Sequence, residues 1–143
     1  MQEGKLDKTS VKNTYSTSTT DTYSCNYVNG LETYSTTETR VGTWKNNKPI
    51  YRKVIEIGAL PNNNYKSVNH NITNLDKVTK LYMIVNISDG YFYQANMQGT
   101  SSLFGGNTVV VRGNSTQIQV GTTADYSGHT GDVIIEYTKT TDV

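Results

Sequence analysis

The chain has 143 residues, enough for one ordinary domain. Its formal net charge is +1 with 17% charged residues, so it lacks the basic surplus that drives binding to nucleic acid or anionic lipid. The single Cys25 excludes an intramolecular disulfide and any four-cysteine zinc site. No apolar run approaches the roughly 20 residues of a membrane-spanning helix. The opening MQEGKLDKTS has no signal-peptide h-region, so neither membrane insertion nor a secretion signal is expected. Hydrophobic residues are 34%, and Thr, Asn, Ser, Tyr and Gly take the place of Leu, Ala, Glu and Lys, which is strand-and-loop composition.

Residues 1–32 read as a stem or linker. The tract KNTYSTSTTDTYSCNY carries almost no aliphatic side chains and cannot build a core. Its Tyr15, Tyr23 and Tyr27 favour extended backbone that could lie on a neighbouring surface, and isolated disorder is the alternative. Residues 33–143 read as the head domain. There Thr39 to Trp44 is a strand, Lys45 to Lys48 a hairpin turn, and Pro49 to Gly58 the return strand with Tyr51, Ile55 and Ile57 on one face. Trp44 is expected to anchor the core. Ala59 to Tyr65, with Pro61 and three consecutive Asn, is an exposed loop.

Asn74-Leu75-Asp76-Lys77 offers an Asx cap and one short helical turn before Val78 to Ile87, the strongest apolar run, in which Leu81, Met83, Val85 and Ile87 alternate as in a central strand. Asp89-Gly90 turns the chain into Tyr91 to Gln94 as a hairpin. Val109 to Val111, Ile118 to Val120 and Val133 to Tyr137 are further strands, separated by Gly113-Asn114 and a long loop from Gly121 to Gly131. Seven or eight strands, no proper helix and no internal repeat imply an all-β antiparallel sandwich, with a jelly roll as the simplest closure.

Catalytic chemistry has one candidate, the run Asp125 to Asp132, where Ser127, His129 and two carboxylates are close in sequence. It has no nucleophile elbow or oxyanion-hole context and reads as a hairpin loop. His70 and His129 are isolated, Asp125 and Asp132 lack the calcium-loop spacing, and no phosphate loop is present, since Gly105-Gly106-Asn107 reads as a turn. Glu56 and Glu136 lie in strands and are expected to face solvent; whether they pair across a sheet is open. No cofactor and no enzyme activity are expected.

Binding is better supported. Eleven Tyr and one Trp stand against only two Phe. Sugar rings stack on Tyr and Trp while Asn, Asp and Gln bond the hydroxyls, and Asn62, Asn63, Asn64, Tyr65, Tyr91, Tyr93, Asp125, Tyr126 and His129 offer that mixture on loops and hairpins. Each also has a structural reading, Tyr as a packed strand residue and Asn as a turn former, and the aromatic surplus could instead serve subunit contacts.

The stretch Tyr34 to Asn64 resembles a string found in structural proteins of tailed phages and prophages of Gram-positive hosts, Y-S-T-x-E-x-x-V/I-G-x-W-x-x-G-K-P-[IL]-Y-R-K. The match falls at Tyr34, Ser35, Thr36, Glu38, Val41, Gly42, Trp44, Lys48, Pro49, Ile50, Tyr51, Arg52 and Lys53, and departs at Asn47, where Gly is usual. Asn tolerates positive φ, so the turn should survive. Looser similarity runs through Val68 to Val78 and Val133 to Asp142. The resemblance implies a virion fibre, tail-tip or head appendage in which a slender N-terminal stem trimerises and joins other virion proteins while a β-rich head meets the host; together with the aromatic and amide residues above, this leads to the expectation of a homotrimer that binds bacterial cell-surface polysaccharide. The alternatives are a structural knob that trimerises or caps a fibre and, with least support, a polysaccharide depolymerase.

Overall fold

The computed structural model describes residues 11–12, 22–23, 33–87, 89–95 and 108–142. Two-residue strands Val11–Lys12 (β1) and Thr22–Tyr23 (β2) pair in parallel; the rest of the expected stem, with Tyr15 and Tyr27, lies outside the described residues, as does Gly105-Gly106-Asn107. The head contains β3 (Thr39–Thr43), β4 (Pro49–Ala59), β5 (Tyr65–Asn69), β6 (Leu75–Asn86), β7 (Phe92–Ala95), β8 (Val109–Gly113), β9 (Gln117–Thr122) and β10 (Thr130–Lys139). They form two antiparallel sheets, one ordered β3-β4-β10-β6-β7 and the other β5-β9-β8. There is no helix among the described residues, and the all-β sandwich expected from the sequence is present. The paired strands β4 and β10 continue across into the paired strands β5 and β9, so one antiparallel ribbon wraps from sheet to sheet. A complete jelly roll sets four strands against four, whereas the described strands fall five and three.

Period-two alternation builds the core. Ile55, Ile57, Met83, Val85, Val133, Ile135 and Tyr137 point inward from the larger sheet, and Val109, Val111, Ile118 and Val120 from the smaller one. Each such side chain contributes about 1.5–3 kcal/mol by leaving water. Near its end β4 has a bulge where Gly58, at φ 65, faces Gly131 and leaves Ile57 unpaired. The bend returns Leu60, 3% exposed, to the core. The expected exposed loop from Ala59 is thus corrected at both ends: β4 runs through Ala59, Leu60 is buried, and Tyr65 opens β5.

Three other expectations are corrected. No helical turn forms at Asn74 to Lys77: Asn74 adopts φ 58 and reverses the chain instead of capping a helix, and β6 starts at Leu75, where Asp76 bonds Lys48 Nζ at 2.9 Å and Thr138 Oγ1 at 3.2 Å. Trp44 is half-buried and outside the core cluster, since it opens the β3–β4 turn, where its amide donates to the Lys48 carbonyl and its carbonyl accepts the Asn47 amide. Glu56 does face solvent, but Glu136 is enclosed, with its carboxylate 2.8 Å from the Arg52 guanidinium. The two are not a pair: Glu56 stands opposite Asp132 and Glu136 opposite Arg52. The β3–β4 turn survives its Asn as expected, with Asn47 at φ 64.

Residues of the Tyr34 to Lys53 string hold β3, β4 and β10 together. Glu38 accepts hydrogen bonds from the Tyr137 hydroxyl and from Lys139 Nζ, and Lys139 also lies 4.9 Å from the Tyr51 ring centroid. Arg52 bonds Glu136 and covers the Tyr34 ring at 4.4 Å. On the β4–β5 side two lysines close the sandwich: Lys66 Nζ donates to the carbonyls of Ile57 and Ala59 at 2.7 and 2.8 Å, and Lys53 Nζ to that of His70 at 2.9 Å. His70 is buried. Its Nδ1 accepts the Ile72 amide at 3.0 Å, which leaves Nε2 to donate to the Asn114 carbonyl at 3.2 Å, so the imidazole ties the β5–β6 connection to the β8–β9 turn.

His70→Ala removes that buried tie and leaves an amide and a carbonyl without partners; the expected loss is about 2–4 kcal/mol, read by denaturant unfolding. High pH tests the Glu38 network. Burial, and then the hydrogen bond to the Glu38 carboxylate, hold the Tyr137 phenol above its ordinary range. Tyr51 is raised by burial and by Asp142, and Tyr82 by burial and by Tyr34. The unfolded chain ionises these phenols near their ordinary value of about 10 while the folded chain keeps their protons, so stability present below that pH falls as pH rises past it. Phenolate absorbance is expected to show three tyrosines titrating late, together with loss of the β-sheet circular dichroism, and Tyr137→Phe is expected to remove one of the three.

Candidate functional site: one end of the sandwich and the outer face of the small sheet

Thr130, the first residue of β10, pairs with Ala59 on one side and Asn86 on the other. The β4–β5, β9–β10 and β6–β7 connections therefore leave the sheets at the same end. The first two are sewn together: Asn62 bridges Asp125, the Asn63 amide donates to the Ala124 carbonyl at 2.8 Å, the Tyr126 amide to Pro61 at 3.2 Å, and Leu60 to His129 at 2.9 Å. Asn63 adopts φ 42, a left-handed conformation that Asn supports. Asp125 accepts both the Ser127 amide at 2.9 Å and its hydroxyl at 2.7 Å, an Asx turn, and these bonds hold its carboxyl below the usual range.

Of the residues singled out in the sequence, Asn62, Asn63, Tyr65, Asp125, Tyr126 and His129 come together here. Asn62, Asn63, Asn64, Tyr65 and Asp125 are exposed. Tyr126 is half-buried and packs against the core, with its ring edge-on to His129 at 5.5 Å, so its ring supports the loop. Tyr91, 71% exposed, sits on the β6–β7 hairpin at the same end of the molecule but on the far flank of the large sheet, and Tyr93 lies in β7 opposite Val85. The Ser127 hydroxyl donates a hydrogen bond to Asp125. Among the described residues no three of His, Cys, Asp and Glu gather closely enough to hold a metal ion.

Tyr65 joins this end to a surface that the loops alone do not suggest. It lies opposite Gly121 on β9, and its ring occupies the space a side chain there would fill: a Cβ on Gly121 would come within 2.5 Å of Tyr65 Cε1. Tyr65 is 61% exposed, and its ring lies against the backbone at Gly121. Beside it the outward positions of the small sheet are Ser67 and Asn69 on β5, Gln117 and Gln119 on β9, and Val110 and Arg112 on β8. Arg112 Nε donates to Gln119 Oε1 at 2.6 Å, Gln119 Nε2 to Ser67 Oγ at 3.3 Å, and Gln117 Nε2 to Asn69 Oδ1 at 3.0 Å. The Arg112 guanidinium is 5.5 Å from the Tyr65 ring centroid. Sequence reasoning missed these five polar residues, though Tyr65-x-Ser67-x-Asn69 and Gln117-x-Gln119 alternate at the period that puts them on one face.

Chemically, the site offers an aromatic platform with amide, hydroxyl and guanidinium groups in fixed rows, which suits planar stacking and multiple hydrogen bonding. No known protein family, curated protein or solved structure matches the chain.

Gly121→Ala is expected to displace the Tyr65 ring while leaving the fold intact, because an exposed ring can swing away. Unchanged backbone amide shifts in the core strands, with loss of nuclear Overhauser contacts between Tyr65 and residue 121, would establish that the glycine serves the platform.

Proposed function

We propose that this chain is the glycan-binding head of a phage virion appendage, attached to other virion proteins through its N-terminal stem and displayed as a homotrimer, holding bacterial cell-surface polysaccharide without chemical turnover. The observation that carries this reading is the Tyr65 ring laid on Gly121, more than half exposed and flanked by Asn62 to Asn64, Ser67 and Gln119. A pyranose ring stacks on such a face while its hydroxyls meet amide and hydroxyl partners. The resemblance of Tyr34 to Asn64 to phage structural proteins supports the setting. Individually weak sites on three subunits would gain strength from simultaneous engagement.

A second reading, a structural knob that trimerises or caps a fibre, is favoured by Tyr91 and Phe92, adjacent and 71% and 76% exposed on the β6–β7 hairpin, since aromatic side chains are enriched at subunit contacts. The test is staining of a panel of Gram-positive bacteria with the fluorescently labelled chain, with competition by polysaccharide stripped from their walls and the oligomeric mass measured by light scattering. Strain-selective staining that soluble polysaccharide competes away, and that Tyr65→Ala lowers by about tenfold or more, is the expected outcome. Absence of staining by a well-folded trimer would leave the knob.

A further inference from the structure

The outer face of the small sheet has a composition that ordinary solvation does not require. Its outward positions from Tyr65 to Arg112 include no carboxylate, and its one charge is the Arg112 guanidinium. Most other basic side chains of the described residues are engaged. Lys48 faces Asp76, Arg52 and Lys80 face Glu136, Lys139 faces Glu38, and Lys53 and Lys66 are bonded to carbonyls. Arg112 is exposed and has no carboxylate partner among the described residues, although Gln119 fixes its Nε at 2.6 Å. Its guanidinium is thereby held in place through Nε, and the terminal nitrogens carry the remaining donors.

The geometry sets the size of what could lie there. Outward residues on one strand are about 6.8 Å apart and neighbouring strands about 4.8 Å, so the face from Tyr65 to Asn69 and across to Arg112 covers roughly 14 by 10 Å, room for two or three linked sugar rings. A ring stacked on Tyr65 would place the substituent of its neighbour near Arg112, whose planar fork matches a carboxylate or a phosphate better than a hydroxyl.

We infer that this face binds an acidic glycan, one whose repeating unit bears a carboxylate or a phosphodiester, with Tyr65 stacking a sugar ring, Arg112 pairing with the acidic group, and Ser67, Asn69, Gln117 and Gln119 bonding the hydroxyls between them. The inference rests on the glycan-binding reading above and narrows it to a class of ligand.

The test measures binding of the full chain by titration calorimetry to three probes: a polyuronate oligosaccharide, a glycerol-phosphate oligomer carrying sugars, and a neutral oligosaccharide of the same length. Tighter binding of one or both acidic probes, weakening as salt is raised, is expected. Arg112→Gln should abolish that preference, lowering acidic-probe affinity about tenfold and to the level of the neutral probe, and Tyr65→Ala should lower binding of all three. The two acidic probes distinguish carboxylate from phosphate recognition. Equal binding of acidic and neutral probes, indifferent to Arg112→Gln, would overturn the acidic assignment and leave the glycan-binding reading intact. Binding to none of the three, with whole-cell staining also absent, would remove both. Equally tight binding of a single-stranded oligonucleotide would overturn the glycan assignment in favour of a general polyanion surface.

Discussion

Strand β10 is hydrogen-bonded along both edges, to β4 and to β6, and its two faces have different duties. Val133, Ile135 and Tyr137 fill the core, while Asp132, Ile134 and Glu136 face outward. Fixing its register fixes the larger sheet and decides which loops share an end, because Thr130 is level with both Ala59 and Asn86. A slip of one residue would bury Glu136 and expose Tyr137, which explains why the strand is held at its far end by a buried hydroxyl bonded to Glu38 and a lysine ion-paired to the same carboxylate. Gly131 is part of the same constraint: it sits where Met83 and Leu60 converge, and a Cβ there would collide with the Met83 methyl group.

The residues behind the phage-type resemblance have a physical reading that separates fold from function. Tyr34, Glu38, Tyr51 and Arg52 join β3, β4 and β10 through ion pairs, hydrogen bonds and ring contacts, and Asn47 turns the hairpin between them. None of them lies on the face that carries Tyr65 and Arg112. These contacts fix how the sandwich starts and leave the outer face of the other sheet independent of them.

The strands were legible where apolar side chains alternate, as in Ile55 and Ile57, Met83 and Val85, and Val133 and Ile135. Strand β5 was not, because its inward positions are Lys66 and Val68, and a lysine there reads as solvent-facing until its ammonium is seen bonded to the carbonyls of Ile57 and Ala59. Asn74 misled for a similar reason: an Asx residue before Leu-Asp-Lys suits a helix start, but Asp76 has stronger partners in Lys48 and Thr138 than any helical amide would offer. The loop cluster was legible as turn chemistry, which brings Asn62 and Asp125 into view but not their pairing. Arg112 and Tyr65 meet only through the β5-β9-β8 order, a long-range pairing that local patterns do not encode.

Preorganisation links the fold to the proposed role. Long polar side chains lose rotamer freedom when they grip a ligand, at about 0.5–1.5 kcal/mol each, and this commonly offsets the hydrogen bonds they make. On the small sheet much of that loss has already been incurred in folding, since Arg112, Gln119 and Ser67 hold one another in a row and Gln117 holds Asn69. The Tyr65 ring is likewise set flat by the absence of a side chain at Gly121. On the proposed role, a stacked sugar would meet a surface whose donors and acceptors are already arranged, and the bonds it made there would add to affinity with little further ordering. The same rows depend on the rest of the molecule, because β9 can present Gln117 and Gln119 outward only while Ile118 and Val120 remain packed against the core built on β10.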